Sequence, residues 1–171
     1  MKDKASPMTE CRVLLLPGWL DSDAAHWQSR WERRHGWRRV TQSDWLWPRR
    51  GDWMARLEEV LLEDEVPAVL VAHSLGCHLV APPDLERDDL PPNLHAWRPI
   101  SRQRLPFAAI TVTSGDDPFS APERSTLLAR DWGARQVGIG AAGHINGESG
   151  LGDWPAGQAL VAELTAAPAS R

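Results

Sequence analysis

Short apolar runs, each halted by turn-forming residues, limit how this chain can fold. Arg12 to Leu16 (RVLLL) stops at Pro17-Gly18, and Pro67 to Ala72 (PAVLVA) runs into His73-Ser74-Leu75-Gly76. Phe107 to Thr113 (FAAITVT) ends at Ser114-Gly115-Asp116-Asp117-Pro118, and Arg135 to Ile139 ends at Gly140. Runs this short, closed by turn residues, suit strands buried on both faces of a parallel sheet. Trp37 to Ser43 adds a short strand that leads into the Trp-rich loop Asp44 to Pro48. Helical stretches alternate with the strands. Asp21-Ser22-Asp23 offers capping oxygens to a helix running to Arg34 and ended by Gly36. Asp52 is placed to cap a helix whose Trp53, Leu57, Val60 and Leu61 form one buried stripe. Ala121 to Trp132 reads as a helix closed by Gly133, and Asp153 to Ala167 as a terminal helix. Strand and helix alternate throughout, which predicts an α/β fold with a mostly parallel sheet and helices on both faces. The 171 residues suffice for one domain. It is expected over 11–167, after a flexible N-terminus over 1–10.

In open α/β sheets, sites form beyond the carboxyl ends of the strands. The loops there carry a Gly turn, two Trp, a Ser, an Asp pair and a His. Ala72-His73-Ser74-Leu75-Gly76 has the context of a nucleophile elbow, with a strand before it and a helix behind it. It is G-x-S-x-G with Ala in the first Gly position. The small residues Ala72 and Gly76 are needed because strand and helix backbones approach closely there. Downstream come Asp117 and then His144, the Ser–acid–His order of α/β-hydrolases. In that reading His144 is the general base for Ser74, and Asp117 holds its imidazole. Asp116 is the alternative acid. The oxyanion hole would use the Leu75 amide and an amide at Gly18 or Trp19. Trp45 and Trp47 are candidates for the substrate pocket, with packing as the alternative.

The matching segments are LLPGW (Leu15 to Trp19), His26-Trp27, Trp45 to Pro48, AHSLGC (Ala72 to Cys77), SGDDPF (Ser114 to Phe119) and AGHIN (Ala142 to Asn146). Over residues 11 to 166 the chain resembles the small single-domain α/β-hydrolase family of serine hydrolases that includes the retinoblastoma-binding serine hydrolase and its bacterial relatives. The resemblance implies a triad of Ser74, Asp117 and His144, with Asp117 favoured because it directly precedes Pro118.

One departure stands out. After Val80 the chain goes straight to Ala81-Pro82-Pro83-Asp84, so the helix behind Ser74 has only about six residues, or about 9 Å. Related hydrolases carry a longer helix there and a further buried strand. Nothing between Pro82 and Pro106 reads as a strand, which leaves an irregular stretch unusual in a compact domain. The expectation is a sheet lacking one strand and part of the nucleophile helix. Either the remaining strands close up, or stability and activity suffer.

Composition narrows the partners. The net charge of −4 gives no basic footprint for nucleic acid. Seventeen Arg stand against two Lys, and Trp31 to Arg39 (WERRHGWRR) interleaves Arg with Trp. That stretch reads as the solvated end of a helix. No apolar run approaches the roughly 20 residues that span a bilayer, and the first ten residues lack the apolar core of a signal peptide. Two cysteines, Cys11 and Cys77, make no disulfide framework, so a cytoplasmic protein is expected. Cys77 reads as a small packing residue. No metal-binding pattern appears, and neither metal nor cofactor is expected. The function expected is hydrolysis of a small ester or related acyl bond through an acyl-enzyme. The alternative is a catalytically impaired relative that acts by binding a protein partner.

Overall fold

The computed structural model describes residues 11–76 and 80–166. Strand β1 is Arg12–Leu16, β2 Arg38–Arg39, β3 Ala68–Ala72, β4 Ile110–Thr113 and β5 Arg135–Gly138. Helix α1 is Trp27–His35, α2 Arg50–Leu62, α3 Pro122–Trp132 and α4 Pro155–Ala166. All strand pairs are parallel, in the orders β2-β1-β3 and β4-β5. Both faces of the sheet are covered. Val13, Leu15 and Val71 pack with Trp27 and Trp31 of α1 and Val161 of α4. Leu14, Leu16 and Ala72 pack on the other face with Val60 of α2. This two-sided burial explains why the strands read as unbroken apolar runs rather than as an alternation.

Among the described residues, the expected gap in the sheet is closed by Val80. Val80 forms parallel bridges to His73 on one side and to Val112 on the other. Its N–H donates to Ala72 O at 3.0 Å, and its carbonyl accepts from Ser74 N at 2.9 Å. Ala81 N then donates to Val112 O at 2.9 Å. Among the described residues, the two sheets are thus joined only at their carboxyl ends. A cavity of about 40 Å³ lies beneath the junction, lined by Leu70, Val71, Val80, Ile110 and Val112. A broader apolar hollow of about 460 Å³ opens on the other face, between Leu57 and Trp53 of α2, Leu70, and Trp132 of α3. Among the described residues from 82 to 109 there is no strand. That stretch packs Leu85, Leu90, Leu94, Trp97 and Ile100 against Trp53 and Leu128, so it is buried though irregular in backbone outside a short 3-10 helix at Pro92–Trp97.

Several boundaries differ from the sequence reading. Helix α1 is capped by His26, whose Nδ1 accepts from Gln28 N, rather than by Asp21 to Asp23. Asp23 instead ties down the amides of Ala25 and His26. Asp52 lies in the first turn of α2, behind the cap Arg49. The expected strand from Trp37 to Ser43 shrinks to β2, and the run from Phe107 pairs only from Ile110. Gly36 and Gly133 do end their helices, with φ of 68° and 69°. Cys77, the remainder of the helix behind Ser74, and residues 1–10 and 167 fall outside the described residues.

Gly18 and Gly76 let the first loop lie against the serine turn. A Cβ at Gly76 would meet Leu16 O at 2.1 Å and Pro17 O at 2.7 Å, both backbone atoms that cannot swing away. Gly76→Ala should therefore cost roughly 3 kcal/mol or more, lowering Tm by about 6–12 °C in a domain of this size. Gly51→Ala, where a Cβ meets nothing within 4 Å, should leave Tm unchanged or raised. Thermal unfolding of the two variants checks this.

Candidate active site

Strand β3 delivers Ser74 onto a sharp bend. Its φ is 53°, a left-handed conformation costing about 1–2 kcal/mol for a residue with a Cβ. The bend persists because Ser74 N is held by Val80 O and Gly76 N by His73 O. The Ser74 hydroxyl makes no hydrogen bond to any other described residue, and it borders a cavity of about 320 Å³ shared with His144, Trp19, Phe119 and Glu148.

The loop after β4 presents two aspartates with different partners. Asp117 accepts from His144 Nδ1, with Oδ1 and Oδ2 both at 3.0 Å. Its side chain is 3% exposed and that of His144 is 11%. Oδ1 also accepts from Phe119 N at 2.9 Å. Asp116 takes Ser114 Oγ at 2.7 Å and Gly143 N at 2.8 Å, so it stitches the two loops together. The Ser114 hydrogen bond, with the Gly143 amide next, holds its carboxyl below the usual range. With Nδ1–H donated to Asp117, the neutral His144 ring carries its lone pair on Nε2. The phenyl ring of Phe119 lies edge-on to it at 4.6 Å between centroids.

At the expected oxyanion site, a Cβ on Gly18 would lie 2.7 Å from Ser74 Cβ and 3.2 Å from Leu75 N. Gly18 therefore lies against the start of the turn that carries the Leu75 amide. Trp19 lines the cavity, and its Nε1 donates to Leu46 O at 3.2 Å. Trp45 and Trp47 are placed elsewhere. Trp45 packs edge-on to Trp53, and Trp47 is 64% exposed. Neither borders the cavity, because the loop Asp44 to Pro48 is drawn toward α2 by Trp53 Nε1 donating to Asp44 O at 3.2 Å.

Two further histidines emerge, His73 and His26, to which the sequence analysis gave no role at the site. His73 is buried, and its Nε2–H donates to His144 O at 2.8 Å. His26 is buried against it, with ring centroids 4.8 Å apart, and its Nε2 has no partner among the described residues. Their position in the sequence, beside Ser74 and in the His26-Trp27 pair, is the only signal that marks them. Among the described residues, no group of three His, Cys, Asp or Glu side chains could hold a metal ion. No helix among them is long and apolar enough to cross a membrane.

A strained serine at a strand end, facing the same cavity as an aspartate-bound imidazole, is the arrangement of an α/β-hydrolase. The serine hydrolase family model matches residues 13–80 and 78–163, and the chain belongs to that family. The two matched segments overlap over 78–80, next to where the extra strand was expected to be missing. A YdeN-like hydrolase of Pectobacterium atrosepticum is 30% identical, with a TM-score of 0.81 and coverage of 91% of each chain. The structure of the Bacillus subtilis ydeN gene product shares the fold at 20% identity, with a TM-score of 0.74 over 92% of this chain and 100% of that one. No curated protein matches.

Burial makes stability at the site pH-dependent. Desolvation pushes the His26 pKa down to about 4, with Arg39 and His144 adding to the effect and Asp23 opposing it. Burial also lowers that of His73, helped by the neighbouring His144 and His26. Both rings are neutral when folded but take up a proton below about pH 6.5 when unfolded. Stability is therefore complete above that pH and is lost as pH falls toward 4. For His26 alone the loss is about 3 kcal/mol at 1.36 kcal/mol per unit. His26→Asn keeps an oxygen to cap Gln28 and removes the titration, so urea unfolding between pH 7 and 4 should show a shallower decline in this variant.

Proposed function

We propose that this serine hydrolase cleaves small, neutral or cationic esters or related acyl bonds through an acyl-enzyme on Ser74. The observation that carries the reading is the pairing of Asp117 with His144 Nδ1 at the rim of the cavity holding the Ser74 hydroxyl. Ser74 Oγ attacks the acyl carbonyl while His144 Nε2 takes its proton. Asp117 holds the tautomer and stabilises the imidazolium that forms. The amides of Leu75 and of Gly18 or Trp19 receive the charge on the tetrahedral oxygen, each donor contributing about 3 kcal/mol. His144 then protonates the leaving alcohol, and water, activated by the same ring, releases the acid from Ser74.

Charge at the cavity bears on the substrate. The carboxylates of Asp21, Asp23 and Glu148 border it; Asp21 is paired with Arg39 behind the lining, which leaves Asp23 and Glu148 unpaired by Lys or Arg, and no Lys or Arg among the described residues borders the cavity itself. Such a potential disfavours anionic acyl groups and leaves neutral or cationic ones unhindered.

A fluorophosphonate probe tests the chemistry. Labelling should vanish in Ser74→Ala and fall sharply in His144→Ala. Asp117→Asn should slow esterolysis by about 10²–10⁴-fold, as loss of the tautomer-holding acid does in other triads. Asp116→Asn keeps an Oδ1 for Ser114 and Gly143 and should stay within a few-fold of the parent. Folded protein that resists the probe, or equal effects at Asp116 and Asp117, would refute the assignment.

For substrate charge, a neutral acyl ester should exceed a carboxylate-bearing analogue of equal length by about tenfold or more in kcat/KM at low salt. The gap should narrow at 0.5 M NaCl as screening shortens to a few ångström. Equal rates at low salt would remove the electrostatic argument.

A further inference from the structure

The histidine that precedes the serine in sequence is tied to the histidine that would serve it. His73 and Ser74 are adjacent on one bend, and Val80 fixes both, through its bridge to His73 and its carbonyl on Ser74 N. From there the His73 ring reaches to the loop after β5 and donates Nε2–H to the carbonyl of His144 at 2.8 Å. The two rings also meet edge to face, 4.9 Å apart. On its far side His73 is walled by His26, at 4.8 Å, and by Trp27, at 6.1 Å, both edge-on. Trp27 Nε1 in turn donates to Ile145 O at 2.7 Å, one residue beyond His144. Ile145 has φ of 51°, so the chain leaving His144 is itself bent into the left-handed region. It needs partners to stay there. His144 is thus gripped at its ring by Asp117 and at its own carbonyl by His73.

We infer that His73 is a positioning residue, which sets the distance between Ser74 and His144 by hydrogen-bonding the His144 carbonyl from the residue next to the nucleophile. This rests on the reading of His144 as the base. The ring must donate from Nε2 and must not carry a second proton, because a cation edge-on to His144 would oppose the imidazolium formed during acyl transfer. A buried site that keeps His73 neutral meets both needs.

Two neutral amides differing only in reach make the test. In His73→Gln the side-chain amide can take the place of Nε2 and reach the His144 carbonyl. In His73→Asn it matches Nδ1 and falls short. Steady-state esterolysis and the rate of fluorophosphonate labelling are measured on the full chain, beside Tm. His73→Asn should lose about 10–100-fold in kcat, the usual consequence of misplacing a catalytic group by about 1 Å, with KM little changed. His73→Gln should recover most of that loss, even if both variants melt at similar temperatures. If His73→Asn does not fold, His73→Met takes its place in the comparison. Equal impairment of the Gln variant and its short or apolar counterpart, or a counterpart as active as the parent, overturns the assignment. Ser74→Ala and His144→Ala run alongside. If they leave activity intact, it is the triad that fails. If they abolish activity while the His73 variants do not differ, only the positioning role fails.

Discussion

Three backbone hydrogen bonds carry the alignment on which everything at the site depends. Val80 N and O bond to Ala72 O and Ser74 N, and Ala81 N bonds to Val112 O. No other strand pairing among the described residues joins β3, which bears Ser74, to β4, which leads to Asp117. In a full parallel sheet that spacing would be set by a ladder of many bonds. Here it is set at one rung, and the rung sits at the end of the sheet where the site forms. The hollows on either side of the junction mark where packing has been lost. Their cost falls on stability, since voids forfeit dispersion and burial, rather than on the geometry at the strand ends.

Two buried imidazoles support a third. His26 and His73 pack in sequence against the half-buried His144, and all three residues border the cavity. Keeping the first two neutral costs acid stability, but it prevents like charge from accumulating beside His144. The tautomers follow from their partners. His26 accepts at Nδ1 from Gln28 N, His73 donates from Nε2 to a carbonyl, and His144 donates from Nδ1 to a carboxylate. Each ring is fixed by a different element, so the orientation of His144 depends on contacts with α1, the serine bend and the β4 loop together.

The sequence made the strand-end loops legible because their residues obey local rules. Apolar runs closed by Pro, Gly or Asp define where β1, β3 and β4 stop, and Gly36 and Gly133 end helices because only glycine takes that conformation cheaply. The proximity of Asp117 to His144 follows from the order of the motifs. What could not be read depends on tertiary context. Among the described residues the junction is one bridging residue, Val80, and a single residue has no period to detect. The shift of the α1 start from Asp23 to His26 arises because the Asp23 carboxylate is consumed by two loop amides. Trp45 and Trp47 could not be sorted between cavity and exterior, since an indole suits either surface equally.

The ten Trp of the chain, against no Tyr, have their own physical logic. A stretch as long as that from 82 to 109, with no strand, leaves backbone carbonyls without a ladder, and buried carbonyls need donors. Indoles tie this stretch and the loop beside it to the helices, with one acceptor, Ser101 O, inside the stretch itself. Trp97 Nε1 donates to Pro48 O, Trp132 Nε1 to Ser101 O, and Trp53 Nε1 to Asp44 O. Each ring buries a large apolar area in the same cluster as it closes the hydrogen bond. A domain with a thinned sheet can in this way fix its irregular segments to α2 and α3 from outside. Only the strand ends, where Ser74, Asp117 and His144 converge, then need the sheet itself.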